Sequence, residues 1–124
     1  MKTRLKQITL LGLMTCVLAH LSLRASADST ADLVLSLKCK GGYNVNIWKR
    51  HGSGELLYRS TSPQGNLSLG KGTKENTGAA QVYKFKNGNY KYQVLEGKGD
   101  HQGQGTLEVF KKDRSILSKV CTQN

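Results

Sequence analysis

Beyond residue 28 the chain has no window of helical periodicity, no internal repeat and no low-complexity tract. These absences exclude a helical bundle, a repeat array and a second domain joined by a biased linker. Side chains suited to catalysis are also scarce. Past residue 28 there are two histidines, His51 next to Gly52 and His101 between Gly99 and Gly103, both in expected glycine-rich turns. Eight acidic residues stand against nineteen basic ones, and no predictable spacing brings two carboxylates together for acid–base work. Asp100 and His101 are two adjacent residues, too few to close a metal coordination shell. The run Gly65-Asn66-Leu67-Ser68-Leu69-Gly70-Lys71 approaches a phosphate-binding loop, but Gly72 stands where Ser or Thr would hold magnesium, and no strand-to-helix setting surrounds it. No enzymatic activity, metal or cofactor is expected.

The chain does carry an export signature. A basic start (Lys2, Arg4, Lys6) leads into an apolar stretch from Ile8 to Leu23, then into Arg24-Ala25-Ser26-Ala27. That order reads as a secretory signal peptide over residues 1–27, cut before Asp28. The apolar run falls short of the roughly 20 residues that span a bilayer, and His20 interrupts it. Leu13-Met14-Thr15-Cys16 resembles a lipidation site, but Thr15 suits the position before a lipidated cysteine poorly. Anchoring at Cys16 is therefore not expected, and the protein should be secreted or periplasmic.

Cleavage would leave one domain at residues 28–124 with two cysteines, Cys39 and Cys121. An even count in an oxidising compartment reads as a disulfide, useful to a domain that buries a smaller share of its surface than a larger one does. Losing Lys2, Arg4, Lys6 and Arg24 leaves fifteen basic residues against eight acidic. The surplus favours anionic surfaces, while export speaks against a specific nucleic-acid partner. Membrane contact would come only through the leader or surface charge. A monomer is expected.

Short apolar or alternating runs separated by Gly, Asn, Asp and Pro predict an all-β domain, a small antiparallel barrel or sandwich of seven or eight strands. Leu33–Leu37 forms a first strand. Tyr43, Val45 and Ile47 alternate with Asn44, Asn46 and Trp48, with Trp48 on the opposite side from the first three. Leu56-Leu57-Tyr58 and a short Leu67–Leu69 strand follow, and Gly70 to Gly78 reads as an exposed loop. A second glycine-rich loop runs from Glu96 to Gly105. Thr106–Phe110 and Ser115–Val120 complete a C-terminal meander. Asn66-Leu67-Ser68 matches a glycosylation sequon.

Asn87-Gly88 predicts a type I′ hairpin turn, which would set Phe85 opposite Tyr90 and Tyr83 opposite Tyr92. These four aromatics and Val94 then share one side, as core or as a stacking platform. Lys84 and Lys91 would face each other on the other side, where like charges need solvent or an anion. With Lys86, and with Lys111, Lys112 and Arg114, they make a candidate anion-binding surface.

The layout of Cys39, a tyrosine-rich meander with an Asn-Gly turn, and Cys121 resembles the periplasmic and membrane-bound inhibitors of c-type lysozyme. Those proteins carry two motifs, Ser-Gly-x-x-Tyr and Tyr-x-x-x-Thr-Lys-Gly. The first falls here on Thr77-Gly78 with Tyr83, with Thr for Ser and two extra residues. The second falls on Tyr92 with Lys98-Gly99, where Gly97 replaces Thr and one residue is added. The resemblance implies a barrel whose ends are joined by the disulfide. It also implies a partner site at Thr77, Gly78, Tyr83, Tyr92, Lys98 and Gly99, with lysozyme as the partner. Two roles follow as expectations: a non-enzymatic, lysozyme-inhibitor-like binding protein, or a basic envelope protein holding anionic polymer or membrane.

Overall fold

A computed structural model of the protein describes residues 30–124. The expected leader and Cys16 lie outside the described residues. Eight antiparallel strands follow one another around a closed barrel: β1 (Ala31–Cys39), β2 (Tyr43–Arg50), β3 (Leu56–Ser62), β4 (Gly65–Asn76), β5 (Ala80–Asn87), β6 (Tyr90–Gly97), β7 (Gln104–Lys111) and β8 (Arg114–Gln123). A single 3-10 turn, Gly99–His101, interrupts the β pattern between β6 and β7. No helix among the described residues is long and apolar enough to cross a membrane.

Period-two alternation decides what fills the interior. Leu35 and Leu37 of β1, Val45 and Ile47 of β2, Tyr58 of β3, Tyr83 and Phe85 of β5, Val94 of β6, and Leu107 and Val109 of β7 form one buried cluster with both cysteines. Trp48 lies outside this cluster, half-buried and paired with Leu57 on the adjoining strand.

Closure depends on a short seam. β8 meets β1 over three residue pairs, Leu37 with Gln123, Lys38 with Thr122, and Cys39 with Cys121. The Lys40 N–H to Val120 O and Asn124 N–H to Ser36 O bonds, both 3.0 Å, extend it at either side. The disulfide joins the two directly opposed cysteines, so the covalent tie reinforces this short seam. Residues 114–119 of β8 run on past the end of β1.

Three local expectations are corrected. Gly70 to Asn76 is not a loop: β4 continues through it, and the turn comprises only residues 77–79. The polar run forms a strand because β3 and β5 offer backbone partners on both sides, with Leu56 opposite Gly72 and Tyr83 opposite Lys74. A bulge places Gly70 and Lys71 opposite Leu57 and turns Gly72 inward beneath Phe85. A Cβ on Gly72 would collide with the Phe85 ring, so glycine is required there.

The β5–β6 hairpin keeps its aromatics on one face but with a different register. Asn87 pairs with Tyr90, Phe85 with Tyr92 and Tyr83 with Val94. The central turn residues are Gly88 and Asn89, and only Gly88 has positive φ (63°), which is the type II′ arrangement rather than type I′. Lys84 therefore faces Gln93, and Lys91 faces Lys86. The second glycine-rich loop is also shorter than expected, because β6 runs to Gly97 and β7 begins at Gln104.

Candidate functional site

Strand direction sorts the turns to two ends. The turns after β1, β3, β5 and β7 share one end; those after β2, β4 and β6 share the other with the start of β1 and the end of β8. The described residues offer three candidate regions: these two ends and one outer face.

At the second end, the turns after β4 and β6 touch. The Lys98 N–H donates to Ala79 O at 3.0 Å. Within the first turn, the Thr77 hydroxyl donates to Ala80 O at 3.1 Å and accepts from Ala80 N–H at 3.2 Å. Thr77, Gly78, Lys98 and Gly99 are exposed and neighbouring. A shallow hollow beside them is lined by Ala79, Leu95, His101 and Val120, with Val120 64% exposed. His51 of the β2–β3 turn lies 2.9 Å from Asp32, and the described residues contain no cluster of three or more His, Cys, Asp or Glu side chains able to hold a metal.

Tyr83 lies beneath this end, inside the barrel and 3% exposed. Burial, the nearby Glu96 charge and a hydrogen bond donated to the Glu96 carboxylate together push the Tyr83 phenol up to about 12. Glu96 in turn meets the Lys98 ammonium at 3.4 Å. A line of contacts thus leads from the interior phenol to the surface lysine. Tyr92 does not join it: β6 carries that residue to the opposite half of the barrel, against Tyr58.

On the outer face, Lys71, Lys84, Lys86 and Lys91 surround a concavity of about 520 Å³, with Thr73 on its wall. Glu75 pairs with Lys84 at 3.1 Å, and Asp113 approaches Lys91 at 3.9 Å. Among the described residues no carboxylate pairs with the Lys71 or Lys86 ammonium, although the Lys71 backbone N–H donates to Glu55 Oε2 at 3.0 Å. Lys111, Lys112 and Arg114 belong to the adjacent β7–β8 hairpin. Its tip is fixed to the β5–β6 turn by the Lys112 N–H to Asn89 O bond of 3.1 Å, and Lys111 lies over the Tyr90 ring, 5.5 Å from its centroid.

Sequence reasoning missed the first end. There the interior opens as a hollow of about 460 Å³. Tyr58, Leu107 and Val109 form its floor, and Tyr43, Ser62 and Gln64 stand at its rim. The rim is bonded internally: the Tyr43 and Ser62 hydroxyls donate to Gln64 Oε1 at 3.4 and 3.2 Å. Inward serines on β3 following Tyr58 were the signal, since small residues among facing aromatics leave space.

Comparison of the chain with protein-family models, with curated proteins and with solved structures finds no match.

Proposed function

We propose that the protein is an exported, non-enzymatic binding protein that engages a protein partner through the turns after β4 and β6. The observation carrying this reading is the Lys98 N–H to Ala79 O bond, which holds two exposed turns side by side. Thr77 and Gly78 then offer hydrogen-bonding groups next to the Lys98 ammonium, with an apolar shelf ending at Val120. The combination suits a partner cleft that contains carboxylates, and the resemblance to inhibitors of c-type lysozyme supplies a specific candidate. Both motif turns contribute to this edge, while Tyr83 supports it from inside through Glu96 and Lys98. Disulfide formation supports an oxidising compartment, secreted or periplasmic.

The test is lytic activity of a purified c-type lysozyme titrated with the oxidised protein. Inhibition should be saturable and should weaken at least tenfold in Lys98→Ala. Because both proteins are basic, moderate salt should speed their association by screening repulsion. Full lysozyme activity at a large molar excess removes lysozyme as the partner.

The outer face favours a second reading, in which the protein holds an anionic polymer or membrane surface. Lys71 and Lys86 around a concave patch are the supporting observation. Retention on vesicles containing anionic lipid should fall steeply as added salt shortens the screening length. Retention that ignores salt, or survives Lys86→Glu with Lys91→Glu, would discard that role.

A further inference from the structure

We propose that the hollow end of the barrel binds a small, uncharged amphipathic molecule, apolar body inward and hydrogen-bonding group at the rim. This site lies at the opposite end from the turns assigned to a protein partner and stands independently of that assignment.

Three observations carry the inference. The first is space. Small barrels ordinarily fill their interior with side chains, and a void among large residues forfeits packing energy. Here β3 supplies Tyr58 and then the small residues Ser60 and Ser62 to the same lining. The resulting hollow of about 460 Å³ falls in the size range of small-molecule pockets, about 300–1,000 Å³.

The second is a closed and rigid floor. Tyr58 is 2% exposed and Leu107 1%. The Tyr58 ring is tilted against Phe85 and against Tyr92, each centroid 5.5 Å away. An entering ring or aliphatic chain would meet fixed aromatic and aliphatic walls, including Leu67 and Leu117, so little ordering would be needed on binding.

The third is charge. Among the described residues no Asp, Glu, Lys, Arg or His lines the hollow, so an ionic ligand group would lose water there without a counterion. Burial also holds the Tyr58 and Tyr92 phenols above their ordinary range, keeping them neutral. At the rim, Gln64 Oε1 already accepts two hydroxyl protons. The Gln64 amide N–H groups remain to address a carbonyl on the ligand, and the Tyr43 hydroxyl oxygen, its proton committed to Gln64, can accept from a ligand hydroxyl.

The experiment titrates the oxidised protein with N-phenyl-1-naphthylamine, a neutral probe that brightens in apolar surroundings. One saturable site is expected, together with a rise in melting temperature as free probe increases. Ser60→Phe should fill the hollow and weaken binding at least tenfold while circular dichroism and the disulfide stay unchanged. Should that variant misfold, Ser62→Phe tests the same space nearer the rim. Val120→Ser removes the most exposed apolar side chain of the other end and should leave affinity unaltered. The sulfonated analogue 8-anilinonaphthalene-1-sulfonate should bind at least tenfold more weakly. The proposal is overturned by unsaturable emission, by parental affinity in a folded serine-to-phenylalanine variant, by loss of binding in Val120→Ser, or by equal affinity for the sulfonate.

Discussion

At the end carrying the turns after β1, β3, β5 and β7, the barrel is hollow and lined by uncharged groups. Toward the other end its interior holds Tyr83, whose hydroxyl meets the Glu96 carboxylate and, beyond it, Lys98. The same alternation of inward and outward residues produced both. The difference comes from inward residue size and from the staggered seam, where β8 continues past β1. One end has space and fixed walls, which suit a small guest. The other has exposed turns backed by an interior polar contact, which suit a protein surface. A barrel of this size can therefore carry two unlike surfaces without a second domain.

The largest effect should come from removing the tie at the seam. Replacing Cys39 and Cys121 by serine, or reducing them, should destabilise by about 4 kcal/mol on the chain-entropy argument for a loop of this length, read as a lower urea midpoint. Amide exchange should accelerate first in β1 and β8, which meet over three residue pairs and a flanking hydrogen bond on either side. Ile116 and Leu117 of β8 line the hollow and depend on that seam to hold β8 against β1, so probe binding should fall in the same variant. An unchanged midpoint would show that backbone pairing alone closes the barrel.

Gly72 offers a sharper cut, because it lies mid-barrel under the Phe85 ring that backs Tyr58. Gly72→Val should cost about 3 kcal/mol by forcing that ring from its place, measured by thermal or urea unfolding. The displaced ring would press on Tyr58 and disturb the hollow floor, whereas contacts at the Thr77 and Lys98 turns should persist. Equal disturbance at both ends would mean that the two regions are mechanically one.

Much of this arrangement is legible in the sequence. Alternation in Tyr43–Trp48 and Tyr83–Val94 revealed β structure, and two cysteines near the domain's ends announced the tie. The hairpin register was not legible, for a definable reason. Placing Phe85 opposite Tyr92 instead of Tyr90 is a two-residue slip, and a slip by two keeps every side chain on its face. The choice depended on turn geometry, with Gly88 as the first central residue. Gly70–Asn76 lacked apolar alternation, so its strand character became visible only through its neighbours β3 and β5. The proximity of Thr77 and Lys98 is easier to anticipate, since turns after alternate strands of a meander fall on one end. The hollow was hidden because Ser60, Tyr92 and Leu117 belong to different strands, and local patterning does not record which side chains meet across a barrel.

The smallest effect distinguishes the ends by proton uptake. Burial, with the Glu96 carboxylate, pushes the Tyr83 phenol up to about 12 in the folded protein, against 10.0 for a free tyrosine. Between those values the unfolded chain releases a proton that the native state retains, so its contribution to stability is complete below pH 10 and disappears as pH rises toward 12. Its size is about 2 kcal/mol. Tyr92 at the hollow end is also raised, by burial and by Tyr90, but has no carboxylate against it. Comparing urea midpoints from pH 9 to 12 should therefore show that Tyr83→Phe flattens the alkaline decline more than Tyr92→Phe does. Glu96→Gln should reproduce part of the flattening, because it removes the charge while burial remains. If the two tyrosine variants flatten the curve equally, the Glu96 charge does not govern Tyr83, and the electrostatic contrast between the ends disappears even though their difference in shape stands.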